Sequence, residues 1–213
     1  AGEALGPDGI KKWASRFGLN ESTNIGFPEG ESTLPSPFWK EETMKEQWYL
    51  GDTYNMSIGQ GYTLITPLQM ARAALPFANN GNLCSLSLLK NNTSPCKKMD
   101  VTLETFSLIR EGMKEACSTG GTGWPLFDFK VKNQDMMTKK LQETPDDKKA
   151  SVEASINRDQ AYFKSIQTAC KTGTAESQQA ASRIPQACIT TLAPFDKQEI
   201  ALTILVEEAG QGS

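Results

Sequence analysis

The sequence contains no histidine. That absence removes the Ser-His-Asp triad, the Cys-His pair and every histidine-ligated metal site from the candidate chemistries. If acyl transfer is the reaction, the proton has to move through lysine. No C-x-x-C pair occurs among the five cysteines, so zinc is not expected, and the residues call for no cofactor. No apolar run approaches the ~18 residues a bilayer span needs, and no signal peptide is present. The net charge of -3 and the lack of a basic stripe threaded with aromatics give no case for nucleic acid. The chain opens on Ala1 rather than methionine, which reads as a processed chain or a portion of something longer. Any anchoring segment would then lie in the missing part.

What is present is of globular composition. At 213 residues, 22% of them charged, the chain suits one domain or a large part of one. The cysteines leave alternatives open. Cys84 and Cys96 bracket a hairpin-like stretch, and Cys170 and Cys188 fall on successive strand-like runs, so two local disulfides are conceivable. An odd count argues against a complete framework, and buried small apolar thiols are the other reading.

Along the chain, Ile10, Trp13, Ala14 and Phe17 share one face of a predicted helix from Gly9 to Phe17, closed by Gly18. Residues 20–46, rich in Gly, Pro, Ser and Thr, read as a long irregular connection anchored by Trp39, with Trp48 and Tyr49 just beyond. Thr66-Pro67-Leu68-Gln69 is a capping box with proline at the first helical position. Its helix should reach about Asn79, with a kink at Pro76. Leu83 to Lys90 reads as a strand turning at Asn91-Asn92. Leu103 to Cys117 reads as an amphipathic helix burying Phe106, Ile109, Met113 and Ala116. Residues 130–159 are charged, free of aromatics and poor in branched apolar residues, and read as a surface insertion, part helical. Strands are predicted at Gln167–Ala175, Ala187–Ala193 and Glu199–Glu207. The last alternates apolar residues on both faces, as a strand covered on both sides does.

The segment with the most chemistry is Lys171-Thr172-Gly173-Thr174. On a strand edge it sets an ammonium, two hydroxyls and a stretch of backbone without a side chain next to one another. Lys171 is the candidate catalytic cation, holding positive charge at a cleft and orienting a proton relay. Thr172 and Thr174 would offer hydroxyls to a substrate carboxylate. Gly173 lets a substrate backbone lie against the strand, and the Thr174 N–H suits an oxyanion hole. Ser118 to Gly123 is a candidate border of the same cleft. Asn55 to Gly61, running into the capping box, is read as a buttress of the cleft.

Taken in order, S-I-G-Q-G-x-x-x-x-T-P-L-Q-M-A, A-N-N-G, G-M-K-E-A-C-S-T-G-G-T and K-T-G-T-A-E resemble the transpeptidase domain of class B penicillin-binding proteins, most closely the elongation type. F-G-L-N-E-S-T-N-I-G-F-P-E-G-E resembles that family's lead-in, and L-A-P-F-D-K-Q-E-I-A-L-T-I-L-V-E-E its last strands. The resemblance spans nearly the whole chain outside about 130–159. It implies an α+β fold of the serine β-lactamase and D,D-transpeptidase type, an antiparallel sheet flanked by helices, with this chain as its C-terminal portion. It also implies a serine acyl-enzyme that cross-links peptidoglycan stem peptides ending in D-Ala-D-Ala and is trapped by β-lactams. A glycosyltransferase partner, a membrane anchor in the missing N-terminal segment and an extracytoplasmic, periplasmic location go with it.

The chain departs from the family in places. The S-x-x-K and S-x-N elements belong upstream of the first helix, so the nucleophile is not expected here and the portion alone should be inactive. Ser87-Leu88-Leu89-Lys90 has the first set of letters on a predicted strand, where alternation separates Ser87 from Lys90. Ser22-Thr23-Asn24 has the second in a loop. Gln186-Ala187-Cys188-Ile189 stands where the family often has a histidine and an aromatic. A D,D-carboxypeptidase, a serine β-lactamase or a non-catalytic penicillin-recognising scaffold are the alternative outcomes.

Overall fold

The computed structural model describes residues 1–89, 94–123, 129–176 and 184–210. Seven helices and five strands are described, and the predicted turn at Asn91-Asn92 lies outside these residues.

The first helix is longer than its periodicity indicates. α1 spans Gly2–Arg16, broken at Gly6, with Pro7 opening the second part where a missing N–H is harmless. The stretch read as irregular contains α2, Pro37–Met44, and α3, Leu50–Ser57, follows it. Ser36 caps α2 by accepting the Trp39 N–H at 3.2 Å, and Lys45 ends it in the left-handed region. Tyr49 is the N-cap of α3, and its N–H donates to Asp52 Oδ2 at 2.8 Å. The same carboxylate accepts from Lys40 Nζ at 2.9 Å, and Glu46 lies 3.5 Å from that ammonium. Lys40 is 3% exposed, so a buried charge is here satisfied by carboxylates and by the faces of Tyr49 and Tyr62.

α4, Pro67–Ala78, begins on the predicted capping box. Thr66 Oγ1 accepts the Gln69 N–H at 3.2 Å, and Gln69 Oε1 accepts the Thr66 N–H at 3.1 Å. The helix continues through a fully buried Pro76. The strand predicted over 83–90 is only β1, Asn82–Cys84, which pairs antiparallel with β2, Cys96–Lys98. The Cys84–Cys96 disulfide crosslinks that ribbon. α5, Leu103–Cys117, has the predicted bounds and is capped by Thr102. Phe106 and Cys117 are buried, but Ile109 is 43% exposed and so is not part of its core stripe. Residues 129–165 form a helical hairpin, α6 Phe129–Gln142 and α7 Asp146–Ser165, whose helices pack on each other.

The main sheet is β3 Ala169–Ala175, β4 Gln186–Ala193 and β5 Ile200–Val206, antiparallel in that order. α5 lies against β3, and α4 against β4 and β5. The core gathers where they meet. Ala74, Ala169, Leu192 and Phe195 are buried together with Phe77 and Met113 packed on them. A second cluster of Leu83, Met99 and Phe106 joins the first through Phe77, which stacks on Phe17 and meets Phe106 edge-on. The expectation that β5 is covered on both faces is overturned. Ala201 packs into the core beside α4, whereas Ile200, Leu202, Ile204 and Val206 are 46–60% exposed. Alternation specifies the two faces of a strand but not what packs on each.

Candidate functional site

The site is built on β3, an edge of the described sheet. Its register sets Lys171 opposite Thr190, Thr172 opposite Ile189 and Gly173 opposite Cys188. Lys171 is exposed, and its ammonium folds back to donate to the carbonyl of Thr172. Thr174 is exposed, and its carbonyl is reached by a side chain from outside the sheet, Gln60 Nε2 at 3.5 Å. The main-chain groups of alternate residues point the same way in a strand, so Thr172 and Thr174 present theirs to the open edge. Thr172 is oriented differently from the sequence expectation. It is 8% exposed, and its hydroxyl donates to Thr122 Oγ1 at 2.8 Å. A substrate carboxylate would have to draw that hydroxyl away from Thr122.

The loop predicted to border the cleft leaves α5 at Ser118 and turns tightly. The Gly121 N–H donates to the Ser118 carbonyl at 2.8 Å and the Gly123 N–H to the Ala116 carbonyl at 2.8 Å. This places Thr122 over β3. At Gly173 a Cβ would sit 3.7 Å from Cys188 Cβ, so the absent side chain leaves the strand surface flat.

Cys188 is a free thiol. Partial burial raises its pKa, and the positive charge of Lys171 pulls it partly back. The pairing of Cys170 with Cys188 is not found. Cys170 lies opposite Thr191 and Cys188 opposite Gly173, three positions apart along the ladder and therefore on opposite faces. Cys170 instead bonds Cys117, which ends α5, one residue before both Lys171 and the Ser118 loop.

Letters resembling the family's other two motifs fall on unsuitable structure. Ser87 sits in a loop after β1, its hydroxyl accepting the Leu89 N–H at 3.1 Å, and Lys90 lies outside the described residues. Ser22 Oγ donates to Glu29 at 2.7 Å and Thr23 is wholly buried, so that triplet shapes a loop. The letters recur at Ser94–Lys97, leading into β2, and at Ser155–Asn157, within α7. Among the described residues no cluster of three or more His, Cys, Asp or Glu is arranged to hold a metal ion.

Gln60 lies in the segment from Asn55 to Gly61 that is read from the sequence as a buttress of the cleft, and its side chain reaches β3. The 114-residue separation from Thr174 leaves the individual contact without a local signal.

Comparison with known proteins places this geometry. The family model "Penicillin binding protein transpeptidase domain" matches residues 1–213. Peptidoglycan D,D-transpeptidase MrdA of Salmonella typhimurium is 34% identical over 137 residues, which is 58% of this chain and 22% of that protein. MrdA of Acinetobacter baumannii is 26% identical over 98% of this chain and 29% of its own length. The solved complex between penicillin-binding protein PBP2 and MreC from Helicobacter pylori superposes with a TM-score of 0.71 at 26% identity, covering 99% of this chain and 34% of that one. The chain thus spans between a fifth and a third of the length of these curated relatives. On the family match and the shared antiparallel α+β fold, the chain belongs to the penicillin-binding protein transpeptidase domain family.

Proposed function

We propose that this chain is the K-T-G-bearing portion of an elongation-type peptidoglycan D,D-transpeptidase. The observation that carries this reading is the open edge of β3, where an exposed Lys171, the flat Gly173 and the outward main-chain groups of Thr172 and Thr174 lie in one row. An extended stem peptide docks along such an edge by strand addition. Its terminal carboxylate meets the ammonium, and its reacting carbonyl oxygen meets the Thr174 N–H. The attacking serine comes from outside this sequence. Its hydroxyl adds to the penultimate D-Ala carbonyl, the ester forms and the terminal D-Ala leaves. An amine of a neighbouring stem then attacks the ester, forming the cross-link and freeing the serine. β-Lactams acylate the same serine.

This reading makes the 213 residues inactive by themselves and active in the complete protein. No helix among the described residues is long and apolar enough to cross a membrane. Anchoring at the extracytoplasmic face, through another segment of the complete protein, is part of the same reading. A glycosyltransferase partner follows from the elongation type, and the complex of the Helicobacter relative with MreC supports assembly with further proteins.

The test is labelling of the full-length protein with a fluorescent penicillin. One covalent adduct is expected, and Lys171→Ala should slow its formation by about a hundredfold or more. A full-length protein that forms no adduct, or forms it equally well without Lys171, removes the proposal.

A further inference from the structure

We infer that Gln60 is a positioning residue for the K-T-G edge, its side-chain amide holding the Thr174 carbonyl in the orientation that an incoming extended peptide meets. The inference rests on the function proposed above and adds a residue from a distant segment to that site.

The contact is the 3.5 Å hydrogen bond from Gln60 Nε2 to the Thr174 carbonyl. What makes it a positioning contact is how Gln60 is carried. α3 ends in a tight turn, in which the Gly59 N–H donates to the Met56 carbonyl at 3.0 Å and the Gln60 N–H to the Asn55 carbonyl at 2.9 Å. Gly59 and Gly61, on either side of Gln60, have φ of 73° and 72°, a region that side chains disfavour. A Cβ on Gly61 would also lie 3.1 Å from Asn55 Cβ. The turn therefore has one shape, and it directs Gln60 at β3.

α3 is fixed in turn. Asp52 holds the buried Lys40, and Trp48 Nε1 donates to Thr53 Oγ1 at 2.9 Å. Gln60 is thus the tip of a braced arm reaching the edge of β3 that faces away from β4. The chemistry asks for an amide here. A carbonyl needs a donor, which glutamine supplies and a glutamate carboxylate does not. A carboxylate would also repel the terminal carboxylate of a stem peptide.

Acylation of the full-length protein by a fluorescent penicillin, followed over a concentration series, separates the saturating rate from the half-saturating concentration. Gln60→Ala is expected to lower the saturating rate about fivefold to tenfold, the effect of one lost hydrogen bond on a geometry-dependent step. Gln60→Glu should be at least as slow, with both melting temperatures near wild type. A wild-type rate for Gln60→Ala, with Lys171→Ala still slow, overturns this inference and leaves the site intact. Slow acylation together with a large fall in melting temperature makes Gln60 merely structural and overturns it too. Equal acylation by wild type and Lys171→Ala removes the site, and Gln60 with it.

Discussion

Thr172 and Thr122, fifty positions apart in the chain, share a hydroxyl hydrogen bond of 2.8 Å. It ties the middle of the K-T-G strand to the loop that follows α5. Thr172 is 8% exposed, so removing the acceptor strands a nearly buried donor. Thr122→Val should cost about 1–3 kcal/mol. Thr122→Ser should recover most of it. Denaturant titration of the two variants decides the matter, since wild-type stability in Thr122→Val together with a loss in Thr122→Ser would mean that the methyl group and not the hydroxyl is what counts.

At Gly81 the packing against Phe106 requires a residue without a side chain. Gly81 has φ of 80°, and a Cβ there would come within 2.6 Å of Phe106 Cε2. Phe106 is 4% exposed and lies in the cluster with Leu83 and Met99, so it has little room to retreat. Gly81→Ala therefore combines backbone strain with overpacking, and a loss of about 1–3 kcal/mol is expected. The denaturation midpoint should fall with an unchanged slope. A midpoint at or above wild type would show that the ring moves freely.

Glu29 links the lead-in loop to pH. The Ser22 hydroxyl, and then the Thr23 N–H, hold its carboxylate below the ordinary value of 4.5. A depressed folded-state pKa contributes stability that is complete above the unfolded value and disappears as pH falls through the folded one. Glu29→Gln should thus be less stable than wild type at pH 7. The two should converge below about pH 4.5, where the wild-type carboxylate takes up its proton. Melting curves across that range check it, and a gap that stays constant with pH would show that the charge contributes nothing.

The elements legible in the sequence are those whose signal is local. The capping box at Thr66 and Gln69 needs only four consecutive residues, and α5 shows both its apolar period and its stop. α2 and α3 escaped because each is eight residues long, too short for a period to show against neighbouring Gly, Pro and Ser. Ser36-Pro37 was the available clue to α2, a cap followed by proline at the first helical position. The partner of Cys170 depends on strand register, and the exposure of Ile200 to Val206 depends on what packs where. Neither is written in a local pattern. Lys171 to Thr174 are proposed as site residues from the sequence alone, whereas the inward turn of Thr172 and the reach of Gln60 come from contacts between distant segments.

Cys188 offers a chemical probe of that site, because it faces Gly173 across the ladder and responds to Lys171. Partial burial raises the thiol pKa, and the neighbouring ammonium lowers it. Alkylation needs the thiolate, so at pH 7.5 Cys188 should react more slowly with iodoacetamide than a fully exposed thiol whose pKa is about 8.5. Lys171→Gln removes the opposing charge. The thiol pKa should then rise further and the rate at pH 7.5 should fall again, with the two proteins converging at a pH high enough to ionise both thiols. A rate–pH profile of each protein, read by mass spectrometry of the Cys188 peptide, tests the coupling. Superimposable profiles would place the Lys171 ammonium too far from β4 to act on it, and the cation would then have to be sought on the outer side of the strand.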